Sequence, residues 1–531
     1  MNLRTSIRSD RRGDARRLAT PAFLTMVALL ALLLAQATTA AGRAPRAAVP
    51  DLAAIDAFIE AQMRALRIPG LALGIVHGDQ IVQLTGYGVA DPPGRPVTPQ
   101  TPFRLASVSK PITALAVLQL AEQGKIDLDA PVQRYLPWFQ VADPRASQSI
   151  TVRHLLHHTS GLPASTLNDQ YFNGDLSAAA LERNVRRLAA IAPNRPVGSS
   201  YEYTDLNYGI LGLIVQTVAG QSYDAYIEEH IFGPLAMRQS FTTQVQAAQH
   251  GLATGYRQWF GRPVAATLPD DRANIPSSSL IASAEDMTHL LIALLNGGRY
   301  NTATLLSSGG IAAMLQPHVA IGTSGPQSAM GFVVETIADV HIIAKTGGTA
   351  NYNARIVLVP DQRWGVVVLA NTFDIGRMEA FDAVADGVAL LLAGKRPAPP
   401  VTALVGGFAP MKWVLLAIVG WELVQIARVV RRGQRQPAAL ASESRKRWPG
   451  WQVVLRLVLG VGVAVLMLGL LPQVLRVPLQ FLRFFVPDLF WLTVAAAMLP
   501  LAENIIRTML TLRGMRQPHL VGQYATHGIE H

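Results

Sequence analysis

Apolar and polar positions divide the chain into two regimes: short apolar stretches between turn signals up to residue 395, and much longer apolar runs beyond 400. In the first regime Leu52, Ile55, Phe58, Ile59, Met63 and Leu66 recur at helical spacing, predicting an amphipathic helix over residues 51–67. Leu71–Val76 and Gln80–Tyr87, split by His77-Gly78-Asp79, predict a β-hairpin. Leu115, Val117, Leu118 and Leu120 continue a helix that starts near Ser107 and is closed by Gly124. Arg153–Pro163 predicts a short helix stopped by Gly161 and Pro163, and Pro196–Gly212 a loop running into an apolar helix. A further helix follows Ser283-Ala284-Glu285-Asp286, with Met287, Leu290, Leu291 and Leu294 on one face. Strand-like runs then return at Gly331–Ile337, His341–Ala344, Ala354–Val359 and Trp364–Ala370, with Pro360-Asp361-Gln362 as the last turn. Helices lying between two groups of strands predict an α/β domain in which both groups share one sheet.

The second regime opens after a linker at 396–403. Apolar segments at about 404–427, 452–471 and 485–502 predict three transmembrane helices, followed by a tail at 503–531. Charge sharpens this picture. The net charge is +11, yet residues 51–400 hold 24 basic and 28 acidic side chains, while the flanks hold 22 basic and 7 acidic. Basic residues therefore flank apolar segments and do not form a patch on a folded domain, which argues against nucleic-acid binding. Arg428, Arg431, Arg432, Arg435, Arg445, Lys446 and Arg447 place the loop after the first segment in the cytoplasm, with the tail on the same side and residue 400 outside. The N-terminus agrees: six arginines before residue 22, the apolar run Ala22–Ala35 and the small-residue site Ala35-Gln36-Ala37 predict a signal peptide, or a signal anchor, over residues 1–42. The domain at 43–395 is then exported. Lys412 and Glu422, inside the first apolar segment, are expected to snorkel or to pair within the bundle.

The chemistry begins at Ser107 and Lys110, three residues apart and on one helix face. A serine needs a base to take its proton, and a lysine serves if its surroundings lower its pKa. A bare S-x-x-K pair is common by chance, but the chain has only six lysines among its 46 basic residues. A lysine kept where arginine is the default suits a role that requires losing a proton. With no cysteine in the chain, disulfides, thiolate metal sites and cysteine nucleophiles are excluded. His154, His157 and His158 have helical spacing but no acidic residue beside them, so packing is expected of them and no metal site.

Three groups then coincide in order: Ser107-x-x-Lys110, Tyr203-x-Asp205 and Lys345-Thr346-Gly347. This resembles the serine β-lactamase and penicillin-binding-protein superfamily, whose pattern is S-x-x-K, Y-x-N and K-T-G. Thr101–Lys110, Leu155–Pro163 and Lys345–Thr349 look most like its class C β-lactamase and D,D-carboxypeptidase-like branch. The resemblance covers about residues 51–395 and implies an antiparallel sheet flanked by helices, with a helical subdomain. It implies that Ser107 attacks an acyl carbonyl while Lys110 and Tyr203 manage its proton. The backbone N–H groups of Ser107 and Gly348 would bind the oxyanion, Lys345 and Thr346 would meet substrate charge, and Gly347 would let the strand come close. Asp205 departs from the family's asparagine: a carboxylate only accepts hydrogen bonds and favours a charged Lys110. Asp205 thus weighs against efficient β-lactam hydrolysis, whereas β-lactams stay among the candidate substrates and esterase, peptidase and amidase activities stay open. The implied function is a membrane-tethered serine hydrolase without cofactor, acting on a small-molecule or peptide substrate such as a cell-wall fragment and contacting membrane lipid. The alternative is an acylated, slow-turnover sensor that signals through its helices.

Overall fold

The computed structural model describes residues 50–164, 174–323, 325–399, 409–435, 450–475 and 479–516. The expected signal segment 1–42, residues 400–403 of the expected linker and the end of the expected tail from 517 lie outside the described residues. An amphipathic helix α1 (Leu52–Leu66) leads into β1 (Gly70–His77) and β2 (Gln80–Gly88). The helices α2 (Ser109–Glu122), α3 (Val152–Leu156) and α4 (Leu206–Ala219) follow, then a hairpin of β3 (Tyr256–Trp259) and β4 (Arg262–Ala265), and α5 (Ala284–Leu295). The chain returns to strands with β5 (Val319–Ala320), β6 (Gln327–Ser328), β7 (Val333–Ile337), β8 (Val340–Gly348), β9 (Asn353–Val359) and β10 (Trp364–Ala370). A short β11 (Thr372–Phe373) and α6 (Met378–Leu392) complete this part.

Eight strands form one antiparallel sheet in the order β2-β1-β10-β9-β8-β7-β6-β5. The N-terminal hairpin joins the late strands through Leu71↔Ala370 to His77↔Trp364, so both strand groups do share one sheet. Every residue of β9 and β10 is buried, because both faces of the sheet are covered. Val357, Val359, Val366 and Val368 share a core with Ile55 and Ile59 of α1 and Phe381, Val384 and Val388 of α6. The alternate positions Ile356, Leu358, Val367 and Leu369 share the other core with Met287, Leu290 and Leu291 of α5 and with the helical subdomain. Strand β8 runs to Gly348, four residues past the apolar stretch that predicts it, because Lys345–Gly348 pair with Asn353–Ile356.

Beyond residue 408 the described residues form α7 (Ala409–Arg435), α8 (Gly450–Leu475), α9 (Leu479–Phe485) and α10 (Pro487–Arg516). Among them two helices are long and apolar enough to cross a membrane, Pro410–Gln434 and Pro487–Leu510, where the sequence pattern predicts three. In the middle helix the uninterrupted apolar part is only Leu457–Leu470, bounded by Arg456 before it and Pro472 after it. Helix α9 is not predicted at all, and α10 continues through the first half of the expected tail. Lys412 does find a partner, Asp488 at 2.7 Å, and the fully buried Asp488 also accepts from the amide of Phe260 at 3.0 Å. The first turns of α7 and α10 thus lie together beside the β3–β4 hairpin.

Candidate active site

Helix α2 begins at Ser109, so Ser107 does not occupy its first turn; it sits in the 3₁₀ turn Ala106–Val108 directly ahead. Ala106 takes φ +49°, a left-handed conformation costing about 1 kcal/mol for a residue with a Cβ. The turn is pinned from below. Ser109 Oγ donates to Ala106 O at 2.7 Å and accepts from the Leu280 amide at 3.1 Å, and the side chain is fully buried. From the other side β8 passes so close that a Cβ on Gly347 would lie 2.1 Å from Leu105 O and 3.0 Å from Ser107 N.

Lys110 is fully buried and reaches three oxygens: Ser107 Oγ at 3.2 Å, Ser277 O at 3.0 Å, and the carboxylate of Asp205. Tyr203, half-buried, donates from its hydroxyl to Ser107 Oγ at 2.7 Å. Its ring centroid lies 4.7 Å from Lys110 Nζ and 4.8 Å from Lys345 Nζ. Asp205 is the N-cap of α4 yet makes no capping hydrogen bond, because its side chain turns to Lys110. Behind Tyr203 stands His158, at φ +57°, with its ring 4.7 Å from the tyrosine ring. Its Nδ1 accepts from the Thr204 amide at 3.3 Å and faces Asn207 Nδ2 at 3.2 Å, while Ser160 Oγ donates to Asn207 Oδ1 at 2.7 Å. His157 stacks on His318 at 4.0 Å, and burial together with that neighbour lowers it to about 3. His154 forms a capping box with Thr151 at the start of α3. All three histidines are therefore packed into the fold.

Burial and the neighbouring charges shift Lys110, Lys345, Tyr203 and His158 of this cluster. Burial opposes charge on Lys110, but Asp205 and the Tyr203 oxygen outweigh it, so the ammonium is held and its pKa raised. Burial and the charge of Lys110 push Lys345 down. Burial would raise the Tyr203 phenol, but the two ammonium groups and its hydrogen bonds bring it to about 8. Burial and both lysines keep His158 well below its ordinary range, hence neutral. Tyr203, at about 8, is thereby placed to exchange a proton close to neutral pH.

Thr346 accepts at Oγ1 from Arg355, whose guanidinium is held by Asp386 at 2.7 and 2.9 Å and lies 3.4 Å from Asp382 and 3.3 Å from Glu335. That arginine is neutralised by carboxylates and orients the threonine from behind. Gly348 abuts the ring of Phe373, which a Cβ would approach to 2.7 Å. The eight residues singled out by sequence converge on one place: Ser107, Tyr203, Asp205, Lys345, Thr346 and Gly348 line a cavity of about 410 Å³, with Lys110 beneath it and Gly347 behind the serine. Ser277, which orients Lys110, escapes sequence reading because a backbone carbonyl leaves no spacing signal; His158, expected to be packed, is packed behind Tyr203. The opposite wall is also unexpected, being formed by Phe373, Ile375 and Met378 with Phe481, Phe484 and Phe485 of α9. Its only trace in the sequence is three phenylalanines in five residues between two apolar segments.

Sheet, helical subdomain and site together define a protein of the serine β-lactamase and transpeptidase class. The chain belongs to the Beta-lactamase family, whose model matches residues 55–391. Protein flp of Staphylococcus aureus (strain MW2) is 29% identical over 320 residues, covering 60% of this chain and 62% of that protein. Esterase EstB of Burkholderia gladioli is 37% identical over 215 residues, 38% of this chain and 55% of the esterase. The chain thus spans less than two thirds of the length of these curated relatives. The octameric penicillin-binding protein homologue from Pyrococcus abyssi shares the fold, with a TM-score of 0.56 and 23% identity over 69% of this chain and 82% of that one.

Proposed function

We propose that the protein is a membrane-tethered, extracytoplasmic serine hydrolase of the class C β-lactamase and D,D-carboxypeptidase-like branch, working through an acyl-enzyme on Ser107. The observation that carries this reading is the Ser107 hydroxyl held 2.7 Å from the Tyr203 oxygen and 3.2 Å from Lys110 Nζ. The Tyr203 phenolate, stabilised by Lys110 and Lys345, takes the serine proton as Oγ attacks the carbonyl. The amides of Ser107 and Gly348 receive the oxyanion, Lys345 and Thr346 meet the polar part of the substrate, and the leaving group departs with the proton from Tyr203. Water then cleaves the acyl-enzyme by the reverse proton path. Asp205 offers no N–H to a substrate amide, which favours esters over lactams and peptides; the named activity of the Burkholderia relative points the same way. The slow-turnover sensor reading draws on the same Lys110–Asp205 pair, since a lysine held charged is a poor base for activating the water that cleaves the acyl-enzyme.

Three membrane crossings, with α8 as the middle one, return the chain to the catalytic side at α9; the pairing of Lys412 with Asp488 supports this by bringing the first turns of α7 and α10 to one level. The test uses full-length protein in detergent micelles. Ser107→Ala should abolish fluorophosphonate labelling and turnover of p-nitrophenyl acetate, whereas Ser109→Ala should retain most labelling. Labelling that survives in Ser107→Ala and disappears in Ser109→Ala would reverse the assignment, and a single burst without turnover would establish the sensor.

A further inference from the structure

The wall of the cleft that faces the catalytic residues comes from between two membrane-associated helices. Helix α9 joins α8 to α10, and its residues divide their attention. Leu482 is buried against the helix bundle with Leu415, Leu489 and Leu492, whereas Phe481, Phe484 and Phe485 line the cavity that holds Ser107. The seat of α9 on the catalytic domain is specific. Phe484 packs on Leu268 and Ala350, Arg257 stands 5.5 Å over its ring, and Arg257 Nη1 donates to Arg483 O at 3.3 Å. The Phe260 amide bonds Asp488 at the start of α10, so the β3–β4 hairpin sits at the level where the apolar helix begins. At that level the domain exposes Phe260 at its hairpin tip, 49% accessible, and Met378 at the cleft, 45% accessible. Aromatic and aliphatic side chains of this kind, interspersed with arginines, suit the boundary between head groups and hydrocarbon.

The cavity is accordingly two-sided: hydroxyls and Lys345 where the carbonyl must sit, and a wall of phenylalanines, with Gln480 beside them, continuous with the membrane helices. Resting on the serine-hydrolase reading above, we propose that the substrate is an amphiphilic ester drawn from the membrane surface, its carbonyl at Ser107 and its hydrocarbon chain along Phe481, Phe484 and Ile375. In the chemical step the Ser107 Oγ–acyl bond forms, the ester C–O bond breaks, and the alcohol leaves with the proton that Tyr203 removed from the serine. Water then releases the carboxylic acid. Each methylene taken out of water by such a wall is worth roughly fourfold in binding.

The experiment uses full-length protein in phospholipid vesicles, with two substrate series kept below their aggregation concentrations. One is p-nitrophenyl esters from acetate to decanoate, varying the acyl side; the other is acetates of alcohols from ethanol to decanol. In at least one series kcat/KM should rise tenfold or more with chain length. Phe481→Ser should cut that long-to-short ratio by tenfold or more, and Phe481→Leu should retain it. A flat profile in both series for the wild type, or a Phe481→Ser ratio equal to that of the wild type, overturns the proposal. Should Phe481→Ser not fold, Ile375→Thr and the wild-type profile decide: a long-to-short ratio unmoved in Ile375→Thr, or a flat wild-type profile, rejects the apolar wall. Failure of the serine reading is distinct, because turnover of every ester would then persist in Ser107→Ala.

Discussion

An asparagine at position 205 would offer Lys110 an oxygen and a substrate amide an N–H; the aspartate present offers oxygen alone. Its carboxylate faces Lys110 directly, and the lysine is correspondingly held as an ammonium. In the mechanism proposed above the proton that moves is that of Tyr203, brought to about 8 by the two lysines. Ester kcat/KM should therefore rise through a midpoint near 8 as the cluster loses this proton, the midpoint belonging to the coupled group. Removing a negative charge makes every neighbouring proton easier to lose, so Asp205→Asn should shift the limb to lower pH, about 1.4 kcal/mol for each unit. The same change returns a donor for amides, so acylation by penicillins should improve relative to esters. Profiles of kcat/KM against pH for one ester and one β-lactam check both; an unmoved limb with an unmoved preference would place Asp205 outside the reaction. This departure is legible in the sequence because the lysine and the aspartate both lie in recognisable patterns. The supporting Ser277 carbonyl is not, since any residue carries one.

At the scale of elements, β8 and the nucleophile turn are fitted to each other through a missing side chain. A methyl group on Gly347 would collide with Leu105 O and crowd the amide of Ser107, both backbone atoms that cannot rotate away. Gly347→Ala should lower stability by about 1–3 kcal/mol through overpacking and reduce serine labelling at least tenfold by displacing the turn. Gly209, inside α4, is the control: its Cβ would meet nothing nearer than Asn184 Nδ2 at 4.0 Å, so Gly209→Ala should hold or raise the melting temperature and retain labelling. Thermal unfolding followed beside fluorophosphonate labelling separates the two, and equal behaviour of both variants would remove the steric argument. Strands β9 and β10 are legible in the sequence because burial on both faces leaves solid apolar runs. The end of β8 is not, because Lys345–Gly348 are placed in the sheet by pairing with β9 and carry no apolar pattern of their own. Helix α9 is hidden for another reason: it is short, and its phenylalanines answer to a cleft assembled from residues more than a hundred positions away.

For the whole molecule, the geometry and the charge distribution bear on one question, which side of the membrane each loop occupies. The basic cluster Arg428–Arg435 ends α7, and in the topology proposed above the positive-inside rule keeps it in the cytoplasm. Its other end carries Lys412, paired with Asp488 at the first turn of α10, while Gly433 near the far end lies against Leu510, so α7 and α10 start at one level and run in the same direction. A chain that leaves the catalytic side along α7 can begin α10 on that side only if α8 brings it back. On the proposed topology the middle helix crosses despite its short apolar part, with Arg456 near one end and Pro472 near the other. A helix lying on the cytoplasmic face instead would leave α9 on the wrong side of the bilayer from the cleft it lines. A reporter active only outside the cytoplasm should accordingly work when fused after residue 400 or 478 and stay silent after 437 or 531. Silence at 478 with activity at 400 would mean that α8 does not cross, and the contact between α9 and the active site could not then form in the membrane.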